Sequence, residues 1–326
     1  MNRQILREGF GMRAAAATLA GAALVLGLGA LVVARQPAPG QGARILQAAP
    51  TDHSVNVLGE TLKRYLSEMD AHKLATLRMV EGGKYNVNIR RITDAETALI
   101  HPKTIDLWVV IDGSGTMTTG GKLEKGKIIG GVSNQLRVGD VAFVPAGVPH
   151  GVSGVNGNIT WLNIRWDVDW PESAPMGAGT LKPPANAPSG RPMLKPLEYA
   201  PTDRAVYIPK EKLAEYLQTM EKDKVSTLRM IEGGHFNVNI RRIKAPSAEH
   251  HPTTIDTWVV LEGGGVVNTG FTSANGKPDR STGVHAFARP GDLFFVPPNL
   301  NHGFSDVDSV VAWLNVRWDT NWEAGQ

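Results

Sequence analysis

The stretch LRMVEGGKYNVNIRRI at Leu77–Ile92 returns as LRMIEGGHFNVNIRRI at Leu228–Ile243, with only three positions changed. Self-similarity at that level marks an internal repeat. Backward, the match reaches an apolar stripe of Leu62, Tyr65, Leu66 and Met69, mirrored by Leu213, Tyr216, Leu217 and Met220. Both sets recur at i, i+3, i+4, i+7, the spacing of one helix face. Forward, it passes through Ile105-Asp106 and Trp108-Val109-Val110, mirrored by Ile255-Asp256 and Trp258-Val259-Val260. It closes on Trp161–Asp167 and Trp313–Asp319. The repeats therefore span 52–170 and 203–323.

After its helix, each repeat carries short alternating or apolar runs broken by Gly, Pro, Asn and Asp, such as Tyr85–Ile92, Ile105–Ile111, Val141–Pro145 and Thr160–Arg165. This pattern reads as strands and predicts an all-β barrel or sandwich in each repeat. Between the repeats, Pro171 to Pro201 holds eight prolines, so 171–202 is expected to be an extended linker. At the front, Arg3, Arg7 and Arg13 precede an apolar run from Ala14 to Ala34. Residues 1–34 read as an export signal peptide or a membrane anchor, and 35–51 as a flexible stalk. Either way the folded part is expected outside the cytoplasm, periplasmic or secreted, touching a membrane only through an uncleaved leader.

Composition narrows the chemistry. The 326 residues include no cysteine, which removes disulfide scaffolds, thiolate metal sites and cysteine nucleophiles. Beyond residue 34 the basic and acidic side chains number 31 and 30, so the sequence pI near 9.0 owes much to the leader. A near-neutral body lacks the excess cationic patch that nucleic acid requires. No nucleophile elbow, phosphate loop, dinucleotide fingerprint or H-E-x-x-H is present. The partner expected is a small molecule, with a homo-oligomer as a further state.

Two constellations recur with the repeat. The first has His101, four residues, Asp106, six residues and Gly113, then Gly139-Asp140, Pro145, Gly147 and His150. The second has His251, Asp256 and Gly263 at the same spacing, then Gly291-Asp292, Pro297 and His302. This arrangement resembles the cupin superfamily, with motifs G-x5-H-x-H-x3–4-E-x6-G and G-x5-P-x-G-x2-H-x3-N, and two copies resemble a bicupin. The resemblance implies two double-stranded β-helix (jelly-roll-like) barrels, each preceded by a short amphipathic helix and each with a metal inside. It is imperfect: Leu99 and Glu249 stand where the first histidine belongs, Asp106 and Asp256 replace glutamate, and Gly154 and Asp306 replace the last asparagine. A three-His, one-Glu centre of the oxalate decarboxylase kind is absent.

Strand alternation puts position 99 on one face with His101, Glu249 with His251, and Asp106 with Trp108. Two imidazoles and a carboxylate (His101, Asp106, His150) suit Fe(II) and accept Mn, Zn, Ni or Cu. The second repeat adds Glu249 to His251, Asp256 and His302, which predicts the tighter divalent site there and makes Glu249 or Asp256 the candidate proton-transfer group. Trp108 and Trp258 are candidate aromatic floors for a substrate, against the plainer reading of core residues. Arg165 and Arg317 are candidate carboxylate clamps; the plainer reading pairs the strand arginines 90, 91, 165, 241, 242 and 317 with Glu81, Asp167, Asp169 and their counterparts. The expected function is that of a metal-dependent oxidoreductase, dioxygenase-like, or a lyase or isomerase acting on a small polar or carboxylated molecule. A non-catalytic ligand-binding or structural bicupin is the alternative.

Overall fold

The structure, a computed structural model, describes residues 43–168, 196–274 and 277–320. The first repeat runs β1 (Ala43–Ile45), β2 (Val55–Val57), α1 (Gly59–His72), β3 (Thr76–Glu81), β4 (Tyr85–Ile92), β5 (Thr104–Thr119), β6 (Lys122–Glu124), β7 (Lys127–Ile129), β8 (Val132–Arg137), β9 (Val141–Val144), β10 (His150–Ser153) and β11 (Ile159–Asp167). The second runs β12 (Glu198–Tyr199), β13 (Val206–Ile208), α2 (Lys210–Asp223), β14 (Thr227–Glu232), β15 (Phe236–Ile243), β16 (Thr254–Thr269), β17 (Thr272–Ala274), β18 (Lys277–Asp279), β19 (Val284–Ala288), β20 (Leu293–Val296) and β21 (His302–Asp319). Among the described residues the fold is all-β with two helices, as the strand pattern predicts. The leader at 1–34 and the proline-rich residues 169–195 lie outside the described residues. Among the described residues no helix is long and apolar enough to cross a membrane.

In the first sheet the order is β1-β3-β4-β11-β5-β9-β13, and in the second β12-β14-β15-β21-β16-β20-β2. The outermost strands are exchanged. Val55–Val57, which precedes α1, pairs with Leu293–Phe295 of the second sheet, and Val206–Ile208, which precedes α2, pairs with Val141–Phe143 of the first. A repeat is thus a unit of sequence but not of sheet. The expected stalk and linker also enter the sheets at their ends. Ala43–Ile45 runs parallel to Thr76–Arg78, and Glu198–Tyr199 parallel to Ile231–Glu232. The sequence carries a trace of this, because Ala49-Pro50-Thr51-Asp52 recurs as Ala200-Pro201-Thr202-Asp203.

Neither helix is capped by its own residues: Leu58 and Pro209 occupy the N-cap positions without a side-chain bond. The caps come from the other repeat. Asp292 Oδ1 accepts the Gly59 N–H at 2.7 Å, and Asp140 Oδ1 accepts the Lys210 N–H at 2.9 Å. These aspartates satisfy orphan donors where the helix dipole favours negative charge.

Alternation then divides the strand residues between two environments. Ile105, Leu107 and Val109 of β5, with Val87, Ile89, Leu162, Ile164 and Trp166, face an apolar cluster shared by both halves. Trp166 and Trp318 stack at its centre with centroids 5.5 Å apart and planes at 5°. Asp106, Trp108, Asn88, Arg90, Asn163 and Arg165, on the opposite face, line the interior of the first barrel. The long strands β5 and β16 bend at Gly113 and Gly263, both at φ 70°. A Cβ there would lie 1.9 Å from Asn158 O and 1.8 Å from Val310 O respectively, so glycine is required.

Candidate metal centre

In the first barrel Leu99 and His150 form a bridge that brings the chain carrying His101 against the start of β10. Asp106 enters from β5 on the same interior. His101 Nε2 and His150 Nε2 each lie 3.6 Å from Asp106 Oδ2, and the three ligand atoms fall within 4.8 Å of one another. A metal about 2.0–2.2 Å from each ligand, at angles of roughly 90–110°, separates ligand atoms by about 2.9–3.6 Å. The donors fit. Asp106 is 1% exposed, yet its Oδ2 has no hydrogen-bond partner. An unmet buried carboxylate oxygen calls for a cation.

The tautomers agree with that reading. His150 Nδ1 lies 2.9 Å from the Val148 carbonyl, and His302 Nδ1 2.7 Å from that of Leu300. A carbonyl only accepts, so Nδ1 carries the proton and Nε2 presents its lone pair inward. Burial, with Arg165 and His150 nearby and only partly opposed by Asp106, pushes His101 down to about 4, which keeps it neutral and able to ligate.

The second barrel reproduces the triad: His251 Nε2 and His302 Nε2 lie 3.5 and 3.3 Å from Asp256 Oδ2. Glu249, His251 and His302 also cluster within 4.8 Å, so sharing a face held true for Glu249 and His251. Arg317, however, stands among them. Its Nη2 donates to His251 Nε2 at 2.8 Å and to Glu249 Oε2 at 2.7 Å, while Nε bonds Asp256 Oδ1. Arg241 Nη2 holds the other Glu249 oxygen at 2.6 Å. A cation entering here meets a resident cation and a lone pair already in use. Glu249, expected to make this the tighter site, is committed to two guanidiniums.

That network also bears on proton transfer. Burial alone would raise Glu249, but the adjacent His251 and the charges of Arg241 and Arg317 hold it well below the usual carboxylate range. Burial likewise opposes ionisation of Asp256, and Arg317 and His302 overcome it. Such stabilised anions are poor proton acceptors, so the base role assigned to Glu249 and Asp256 does not fit their surroundings.

The first barrel instead holds a cavity of ≈ 240 Å³ beside its triad, bounded by Leu99, Trp108, Arg90, Arg165, Asn163 and Glu96 among others. Trp108 is both floor and core: it lines this cavity while packing on Trp161 at 4.9 Å. Trp258 is core, stacked on Phe304 at 5.9 Å and packed against Trp313. Arg165 Nε lies 2.6 Å from Asp106 Oδ1. Among the described residues the strand arginines are ion-paired, but not with Glu81 or Asp167, and Asp169 lies outside the described residues. Arg90 meets Glu96, Arg91 meets Asp70 and Asp112, and Arg242 meets Glu221 and Glu262. Glu81 pairs instead with Arg78, and Asp167 accepts from Thr104. Glu96 was missed because it belongs to no repeated motif; Pro246 stands at the corresponding distance ahead of the strand pair in the other repeat.

No protein-family profile and no curated protein matches the sequence. Solved structures do match. Salicylate 1,2-dioxygenase from Pseudaminobacter salicylatoxidans aligns at 16% identity over 84% of this chain and 86% of its own, with a TM-score of 0.52. The fold is that of a bicupin. A substituted form of the same dioxygenase, crystallised with gentisate, aligns at 14% identity over 84% of each chain with a TM-score of 0.53. A Cupin 2 conserved barrel domain protein from Leptotrichia buccalis aligns at 12% identity over 75% and 88%, with a TM-score of 0.47. Within the bicupin fold described here, the two barrels share one frame and differ in what fills it.

Proposed function

We propose that this bicupin is an exported, metal-dependent enzyme whose first barrel binds a divalent ion through His101, Asp106 and His150 and acts on a small carboxylated molecule. The observation that carries the reading is the unpartnered Asp106 oxygen, set between two inward imidazoles at the edge of an open cavity. Bound there, the ion supplies Lewis acidity or a redox centre at positions left open by only three protein ligands.

The chain's own residues do the rest. Arg165 orients Asp106 and offers positive charge to an anionic substrate. Trp108 gives a flat apolar wall for a ring. Leu99 stands where the second barrel has Glu249, and Glu96, held by Arg90, is the carboxylate that lines this cavity with Asp106. The dioxygenase relatives, one crystallised with the ring acid gentisate, support oxygen-dependent chemistry on an aromatic or similar carboxylate over lyase or isomerase chemistry. Among the ions the donor set accepts, two imidazoles and one carboxylate favour Fe(II). The second barrel, where Arg241 and Arg317 hold Glu249 and Arg317 also meets His251, fits a structural role.

Export rests on the leader reading, and N-terminal sequencing of secreted or periplasmic protein tests it; an intact Met1 in soluble exported material counts against cleavage. The catalytic reading is tested by metal analysis of the purified chain. Spectra of the iron-loaded protein would follow, with and without oxygen and aromatic carboxylates. One tightly held ion, and a spectrum that responds to the carboxylate, is the expected result. Protein that retains no ion in either barrel would leave the non-catalytic reading as the better one.

A further inference from the structure

The metal-side cavity has a neighbour. A groove of ≈ 540 Å³ runs between the end of α1 and residues 91–95, lined by Met69, Leu74 and Ile92 with Asp70 and Lys73. It shares two lining residues with the metal-side cavity, Arg90 and Glu96. Those two are ion-paired with each other, and Arg90 Nη1 also donates to Thr76 Oγ1 at 2.6 Å, which ties the pair to β3. One ion pair thus stands between two spaces. At ≈ 240 Å³ the metal-side cavity falls below the range of about 300–1,000 Å³ usual for sites that enclose larger organic ligands, and joining it to the groove would bring it within that range.

The second barrel builds its arginine contact elsewhere. Arg241 stands opposite Thr227 and Trp313 as Arg90 stands opposite Thr76 and Trp161. Its acid is Glu249, which clusters with the imidazoles of His251 and His302. The positions that match Glu96 are Pro246 by count from the strand bridge and Ser247 by backbone bonding, since the Ser247 N–H meets Phe304 O as the Glu96 N–H meets Val152 O, both at 2.9 Å. Neither is an acid. Six residues separate Ile92 from Leu99, against five between Ile243 and Glu249, so the connection carrying Glu96 is also the longer one. The acid that holds the strand arginine is therefore among the imidazoles in the second barrel, and at the boundary of the cavity in the first.

We infer that the Arg90–Glu96 pair is the specificity-determining wall of the first barrel: it confines the ligand to a small ring beside Trp108, and it shuts off a groove whose Met69, Leu74 and Ile92 would take an apolar extension of that ligand. This rests on the proposed assignment of ligand binding to the first barrel. It adds the residues that set the size limit and the direction in which the limit can be relaxed.

The test removes the wall. Benzoate and the longer biphenyl-4-carboxylate are titrated into the full chain by calorimetry, in the parent and in Arg90→Ala/Glu96→Ala. The parent should bind benzoate at least tenfold more tightly than biphenyl-4-carboxylate. In the opened variant the ratio of biphenyl-4-carboxylate to benzoate affinity should rise at least tenfold, and adding Ala95→Trp, at an exposed position lining the groove, should take that gain back. Lost structural support would weaken both acids together and leave the ratio where it was. Should the double variant fail to fold, Arg90→Ala, which removes the longer side chain, shifts the ratio in the same direction. Equal binding of the two acids by the parent, an unmoved ratio in the opened variants, or a gain that survives Ala95→Trp overturns the inference while benzoate binding stands. A parent chain that binds no benzoate overturns the reading of the first barrel and this inference with it.

Discussion

Removing one histidine from each barrel separates the two candidate centres. For an ion to bind His251 in the second barrel, Arg317 must give up its bond to that imidazole, 2.8 Å, and its bond to Glu249 is strained or lost, 2.7 Å. Hydrogen bonds to charged groups contribute about 1.5–3 kcal/mol each, so the displacement costs about 3–6 kcal/mol. At about 1.4 kcal/mol per tenfold, the second barrel should bind the same ion roughly 10²- to 10⁴-fold more weakly than the first. Competition with a chelator of known affinity, read by elemental mass spectrometry, measures this directly. His150→Ala should strip the tightly held ion, and His302→Ala should leave it in place. Equal losses in both variants, or a greater loss in His302→Ala, would refute the reasoning from the arginine network and restore Glu249 as a ligand.

Other consequences concern the frame. Asp140→Ala removes the acceptor of three bonds, from Lys210 N, Arg137 N and Tyr207 Oη, and should lower stability by about 1–3 kcal/mol in denaturant titrations. Trp166→Ala empties a fully buried site in the shared cluster and should cost about 3–5 kcal/mol; because that cluster and the exchanged strands join the halves, unfolding should stay a single transition rather than split in two. Gly113→Ala combines a φ of 70° with a clash at 1.9 Å from Asn158 O and should cost at least about 2 kcal/mol by thermal melts, whereas Gly157→Ala, with no atom within 4 Å of its Cβ, should cost less.

How far the sequence discloses this molecule depends on whether the relevant interaction repeats. The triads His101/Asp106/His150 and His251/Asp256/His302 were legible because the same spacing occurs twice, and alternation along β5 correctly set Asp106 and Trp108 on one face. The exchange of Val55–Val57 and Val206–Ile208 was not legible, since each segment has the same alternating pattern whichever sheet accepts it. The ion-pair partners were misread for a related reason. Arg91 and Arg242 find acids on the helix and on the next strand but one, contacts that only the three-dimensional fold brings together. Glu249 was correctly placed on the inward face beside His251. What one-dimensional alternation omits is that Arg241 and Arg317 share that face from two other strands and reach the carboxylate first.

The two barrels share a buried aspartate oxygen without a partner and differ in how their arginines are held. A buried acid or imidazole with no partner lowers stability, because its desolvation is not offset until a ligand arrives. In the first barrel Asp106 Oδ2 is left in that state, beside an open cavity. In the second, Asp256 Oδ2 and His302 Nε2 are likewise without hydrogen-bond partners, but Glu249 joins Arg241 and Arg317 beside His251. The exchanged strands and reciprocal aspartate caps then couple the two barrels, with Asp292 holding α1 and Asp140 holding α2. Weakening the second barrel should therefore disturb the first: Asp292→Ala frees the start of α1 beside the β2–β20 pairing and should reduce ion retention by His101 and His150, although Asp292 contacts neither. Ion retention equal to that of the parent chain, in a variant whose melting temperature has fallen, would show that the halves share a core without sharing the stability of the site.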